Sequence, residues 1–428
     1  MTEHFYTNIH HGPINLGTII LGSGTITCPL VHTKSSIRDS FFIFNNPLKM
    51  IRWLLFLVYL PLFIASPGDD LDEFDECRHR CESITCNYRL FETDPNRYHR
   101  SVADFNEKNR FDWNFDPLPL PRHLTLLYWT CEQNCDYQCQ RLVTQQRVDE
   151  KEEVVQFHGK WPFLRVFGIQ EFASMIFSIG NLLVHLQGLW KIKHQIDTSP
   201  PHYGLYFYNI LIVSIVTLAA WICSTIFHIR DFELTERLDY FLAGLTVLTG
   251  FHAVFARVYR LYLPDRKLWL AAFTALCVAL YSGHVYHLVT DWLYTYNMRA
   301  NIFIGILQNI CWAMLCFDLY IRYYDVEHNH PEKSMNFARY TKWNTVVLSS
   351  FFLRSSKLYS LYPLLLCVIV ICGMALEIFD FAPIFYDLVD AHSLWHLVTI
   401  FPAYYGWYDW MIWDIRENVW QDVKQKAD

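Results

Sequence analysis

Seven apolar runs of about twenty residues each occupy the C-terminal part of the chain, and each is long enough to cross a bilayer as a helix. They are about Phe172–Trp190, Tyr206–Phe227, Leu238–Arg257, Leu268–Leu288, Asn301–Tyr320, Tyr359–Ile378 and His392–Ile412. A bilayer core holds no water to satisfy backbone groups, so such runs fold as helices that close their own hydrogen bonds. The expected architecture is an all-α membrane protein: a seven-transmembrane helix bundle over 161–413, with a cytosolic tail at 414–428. Composition agrees, because 18% of the residues are charged against about 25% in a soluble domain. The net charge of −7, with no basic cluster, gives no reason to expect nucleic acid as a partner. The stretch Asn344–Leu358 is semi-apolar, carries Arg354 and Lys357, and reads as an insertion or an interfacial segment.

Loop charges set the expected orientation. Fifteen basic residues follow the first, third, fifth and seventh runs, among them Lys191, Arg260, Arg322 and Lys424. The alternate loops hold Arg230, Arg237 and Arg299. The positive-inside rule then puts the C-terminus in the cytosol and the N-terminal part in a lumen.

The N-terminal part agrees with that compartment. Residues 1–49 show no pattern and read as a non-structural extension. Over 50–66, Met50-Ile51-Arg52 leads into an apolar run that ends in small residues before an acidic stretch. That order is a signal peptide, with an uncleaved anchor as the alternative. Residues 67–160 form a small domain holding six cysteines in two groups: Cys77, Cys81 and Cys86, then Cys131, Cys135 and Cys139. Behind a signal peptide they imply disulfides in an oxidising lumen. Six cysteines allow fifteen pairings, and a zinc knuckle is the competing reading.

Five polar residues interrupt or border the apolar runs: Ser224 and His228, Asp239, and His392 and His396. Burying such groups in a bilayer is costly, which marks them as functional candidates. By the expected topology all five lie near the lumenal ends of spans two, three and seven. Both pairs are four residues apart, so each shares a helix face. Three imidazoles and a carboxylate are a plausible zinc ligand set. Glu171, Asn181, His185, His252, His284 and Asp318 read as packing or interface groups. Asp390 is a candidate to orient a ligand histidine.

This pattern of Ser224-x-x-x-His228, Asp239 and His392-x-x-x-His396 resembles the CREST superfamily of seven-span membrane hydrolases. Three segments narrow the resemblance. They are Phe157-His158-Gly159-Lys160-Trp161-Pro162-Phe163, Tyr128-Trp129-Thr130-Cys131, and Asp390-Ala391-His392-Ser393-Leu394-Trp395-His396. With them the chain is similar to the post-GPI attachment to proteins factor 3 family, from about Asp69 to the C-terminus. The resemblance implies remodelling of GPI-anchored proteins by a phospholipase A2-type cleavage of the sn-2 acyl ester. It implies a Golgi membrane, or the endoplasmic reticulum membrane in fungi. It also implies Zn2+ on His228, His392 and His396, with Asp239 as general base or as the group that orients the water, and Ser224 as a supporting group or oxyanion donor. A rival mechanism makes Ser224 the nucleophile and His228 its base. A ceramidase-like amide hydrolase and a non-catalytic receptor or chaperone are the alternative functions. Oligomeric state is not readable.

Overall fold

The computed structural model describes residues 66–86, 113–116, 118–200, 204–329 and 351–427. The expected extension at 1–49 lies outside the described residues, as does the expected signal peptide apart from Ser66. The described residues are helical, joined by loops that carry isolated β-bridges.

The cysteine groups lie on two helices, α1 (Asp72–Thr85) and α3 (Cys131–Asp149), with α2 (Arg122–Leu126) between them in the chain. Thr130 opens α3 with a capping box: its hydroxyl accepts from Gln133 N, while Gln133 Oε1 accepts from Thr130 N. The sulfurs pair in nested order as Cys77–Cys139, Cys81–Cys135 and Cys86–Cys131. Nested pairing means the helices run antiparallel. It answers the open connectivity with disulfides rather than a zinc knuckle. Phe74, Trp113, Phe115 and Phe157 complete this small core.

Two tight turns follow. In Phe157–Lys160 and Val166–Ile169 the central pairs, His158-Gly159 and Phe167-Gly168, all have positive φ. Two left-handed residues in succession make the turn that matches strand twist, and glycine at the second position removes the Cβ penalty. The first turn is closed by reciprocal bonds between Phe157 and Lys160, and it fixes where Lys160 leaves the backbone.

The bundle follows as α4 (Phe172–Thr198), α5 (Tyr208–Ile229), α6 (Glu233–Val258), α7 (Lys267–Thr290), α8 (Tyr294–Asn329), α9 (Ser356–Ser360) and α10 (Tyr362–Ile378). Six helices of the described residues are long and apolar enough to cross a membrane. α5 packs between α4 and α6, and α8 packs on the far side of α6. α7 is peripheral and buries only Cys277 and Leu288, as expected of a helix that faces lipid.

The expected seventh span differs from a single uniform helix. α11 (Ala391–Pro402) packs between α4 and α10, then passes into a π-helical turn, Ala403–Trp407. α12 (Tyr408–Asp414), a second π turn at Ile415–Val419, and α13 (Trp420–Ala427) complete it. The reason is local: Pro402 removes a backbone donor, and Gly406 at φ 133° leaves helical geometry altogether. Near this turn Trp312, Tyr359, Tyr362, Trp410 and Trp413 form the large aromatic core. A buried ionic cluster closes the same end, where Arg257 Nε meets Asp414 at 2.6 Å and Asp422 accepts from Arg322 and Tyr262. Arg257 and Tyr262 belong to the loop end of α6, so this cluster ties it to the C-terminal helices.

Candidate metal centre and lipid cavity

Two helix ends carry the histidines of the site. The last turn of α5 carries Ser224 and His228, 4% and 0% exposed. The first turns of α11 carry His392 and His396. The helix start is set by Asp390, whose carboxylate accepts from Ser393 N at 2.8 Å. α5 and α11 both pack on α4, which brings the three rings together. Ring centroids lie 4.9 Å apart for His228–His396, 5.4 Å for His228–His392 and 4.5 Å for His392–His396. One ligating nitrogen of each falls within 4.8 Å of the others.

Each ring is held at Nδ1. Glu171 Oε2 lies 2.8 Å from His228 Nδ1, and Glu377 Oε2 lies 2.8 Å from His392 Nδ1. A carboxylate accepts, so these nitrogens carry the protons. Ser178 Oγ lies 2.9 Å from His396 Nδ1. Its single proton goes to Ser174 O at 2.8 Å. It therefore accepts from His396 and also from Ser224 Oγ at 3.2 Å. The Trp221 ring meets His396 edge-on at 5.3 Å. With every Nδ1 engaged, the Nε2 atoms are left for an ion. His228 Nε2 is buried with no hydrogen-bond partner. A buried orphan nitrogen costs about 1–3 kcal/mol, which ligation would remove. Imidazoles whose other nitrogen donates to a carboxylate or hydroxyl are the usual setting of a zinc ligand, so the donor set fits the metal.

Glu171 is fixed in turn. Lys160 Nζ bonds its Oε1 at 2.6 Å and Asp231 at 2.9 Å, and lies 4.0 Å from the centre of the Phe227 ring. Burial pushes the Glu171 carboxyl up, but the Lys160 ammonium and His228 outweigh it and hold it well below the usual carboxylate range. Asn181 Nδ2 donates to His396 O at 2.7 Å, and Tyr294 donates to the second oxygen of Glu377 at 3.1 Å.

The rings open on a cavity of about 1300 Å³, with Asp239 and Ser224 in the same wall. Its apolar lining includes Val213, Trp221, Val247, Val370, Met374 and Trp407. That volume exceeds the roughly 300–1,000 Å³ of ordinary small-molecule pockets.

The structure thus brings all five expected residues to one cavity. It corrects one expectation, since Asp390 caps Ser393 rather than touching His392, and Glu377 holds that ring instead. Glu171, expected to be a packing group, holds His228. Ser178, Lys160 and Glu377 escaped the sequence reading. Glu377 had a usable signal, being the one acidic residue in the apolar run of α10.

Comparison with known proteins shows the family of the chain. The Per1-like family model matches residues 121–415. Protein PER1 of Saccharomyces cerevisiae is 42% identical over 366 residues, covering 84% of this chain and 93% of its own. The mouse protein named GPI-specific phospholipase A2-like PGAP3 is 30% identical over 349 residues, 81% of this chain and 89% of its own. Post-GPI attachment to proteins factor 3 of Drosophila melanogaster is 30% identical over 339 residues, 79% and 86%. No solved structure matches. The chain belongs to the Per1-like family.

Proposed function

We propose that this chain removes an acyl chain from the lipid of GPI-anchored proteins by hydrolysing its ester with a metal-activated water. The observation that carries the reading is the histidine triad, each ring fixed through Nδ1 and opening on an apolar cavity. The relatives' names supply the substrate class.

His228, His392 and His396 would hold the ion through Nε2. A zinc ion held there would supply a bound water acidic near neutrality and a Lewis acid for the ester carbonyl. Asp239, in the same wall, accepts the proton of the attacking water and passes it to the leaving alkoxide. The ester becomes a free fatty acid and a lysolipid, with one water consumed. Ser224 supports the centre through the chain Ser224–Ser178–His396. A serine nucleophile needs His228 as its base, and neither nitrogen of His228 is bonded to Ser224: Nδ1 serves Glu171 and Nε2 has no partner. That favours the water mechanism. The apolar walls take the acyl chain from the bilayer. The loop charges support a lumenal N-terminal domain in a membrane of the secretory pathway, the Golgi or the endoplasmic reticulum.

The test is acyl-chain analysis of GPI anchors from cells lacking the endogenous protein. Wild type restores the remodelled chains and His396→Ala does not. Full restoration by His396→Ala overturns the proposal, and altered ceramide with normal GPI chains points to an amide hydrolase instead.

A further inference from the structure

A second cavity of about 410 Å³ lies between the disulfide-linked helices and the bundle. Its walls come from α1, α3, the turn at 157–160, and the loop at Arg230–Asp231. It shares His158, Lys160, Trp161, Phe163 and Asp231 with the large cavity, so the two adjoin. The lining differs in kind from the apolar cavity. Four basic side chains, Arg78, His158, Lys160 and Arg230, alternate with four acidic ones, Glu82, Glu132, Asp136 and Asp231. Gln133, Gln140 and Gln170 add amides.

This wall is held in place. Arg230 is 7% exposed and lies over the Trp129 ring at 3.9 Å, and its Nη2 bonds Gln133 at 2.6 Å. Its Nε is buried without a hydrogen-bond partner. Trp161 is anchored by Nε1 to Asp380 at 2.9 Å, which fixes its ring at the wall shared by the two cavities. Asp136 is shared by His158 at 2.9 Å and Gln140 at 2.6 Å.

We infer that this cavity binds the inositol-phosphate glycan of the substrate while its acyl chain lies in the large cavity. The inference rests on the activity proposed above. The shared residues give a lipid in the large cavity a direct route for its headgroup into the small one. The chemistry selects what the small cavity takes. Carboxylates and amide oxygens accept from hydroxyls, guanidinium groups donate to phosphate and sugar oxygens, and an indole packs on a sugar's C–H face. A purely anionic ligand would meet four carboxylates, and an apolar one would strip water from charges it could not replace. A polyhydroxylated chain bearing phosphate and amine satisfies both signs. The disulfide-linked domain then reads the part of the substrate that a free lipid lacks.

The experiment titrates full-length chain in nanodiscs with a water-soluble, deacylated inositol-phosphate glycan, followed by calorimetry. Saturable binding that weakens at least tenfold in the double variant Glu82→Gln, Glu132→Gln is expected, with weaker competition by inositol phosphate alone. Absence of saturable binding, or equal affinity in wild type and variant, overturns the inference. Fatty-acid release is measured on the same preparation. Release without glycan binding overturns this inference and leaves the proposed activity standing. Binding without release supports the site and counts against the hydrolytic reading.

Discussion

Replacing Glu171 with Gln changes no volume and removes one charge from the deepest part of the site. The carboxylate is 6% exposed and uses both oxygens, one on Lys160 at 2.6 Å and one on His228 Nδ1 at 2.8 Å. An amide has one acceptor oxygen, so its NH2 must face one of the two donors. If it faces His228, the ring must carry its proton on Nε2 and can no longer offer that atom to an ion. If it faces Lys160, the ammonium keeps Asp231 at 2.9 Å but loses its other partner. Either arrangement leaves a buried donor unsatisfied, worth about 1–3 kcal/mol of stability. Loss of such a supporting carboxylate weakens metal affinity by about 10–100-fold. The assay is metal content of the detergent-purified full chain across a chelator titration, with thermal unfolding alongside. Asp390→Asn serves as the control, because asparagine caps a helix about as well as aspartate and Asp390 touches no histidine of the triad. Metal retention within twofold of wild type for Glu171→Gln would refute the reasoning.

Further outcomes follow from the same structure. Ser224→Ala removes only the outer member of the Ser224–Ser178–His396 chain, so acyl release should fall by roughly tenfold. A trapped acyl group or fluorophosphonate label on Ser224 would instead establish the nucleophile mechanism. Cys81→Ser, with Cys135→Ser, opens the middle of three nested links. With Cys86–Cys131 still closed, that link closes a loop of only about ten residues and its loss should cost about 3 kcal/mol by loop entropy, read as protease sensitivity of residues 66–160. Gly188→Ala places a methyl against the ring of Tyr408, which His185 anchors at 2.8 Å. A melting temperature lowered by the equivalent of about 1–3 kcal/mol is expected. His158 is held above its ordinary 6.5 by its hydrogen bond to Asp136, against the opposing effect of burial. A raised folded-state value gives stabilisation that is full below 6.5 and lost as pH rises through the folded value. The amide protection factors of the 157–160 turn, corrected for intrinsic exchange, should therefore fall on the alkaline side, and Asp136→Asn should flatten that dependence.

The helices were legible because hydrophobic runs are a one-dimensional signal. Some boundaries moved outward, as with α8, which extends beyond the expected Asn301–Tyr320 to Tyr294–Asn329, and others inward, as with α10, which starts at Tyr362 rather than Tyr359. Polar ends such as Tyr294 and Asn297 are helical by continuity and tertiary contact, not by hydropathy. The triad was legible because the i, i+4 spacing and the loop charges both act along the chain. What holds the triad was not. Glu171, Ser178 and Glu377 look like any polar group in a span until α4 and α10 pack beside α5 and α11. The disulfide order was hidden for the same reason. Cys77, Cys81 and Cys86 face Cys139, Cys135 and Cys131 only once two helices lie antiparallel. The break at Gly406 is a single-residue conformational event inside an otherwise helical pattern, and periodicity does not register it.

The most direct test of a metal-activated hydrolysis reconstitutes purified full-length chain in proteoliposomes with a GPI-anchored protein and measures released fatty acid beside bound metal. About one tightly bound metal per chain and release of the sn-2 fatty acid are expected. Both should be lost in His228→Ala, His392→Ala or His396→Ala, and release should be lost with metal retained in Asp239→Ala. Full release from metal-stripped protein, or from a triad variant that binds no metal, would contradict that mechanism.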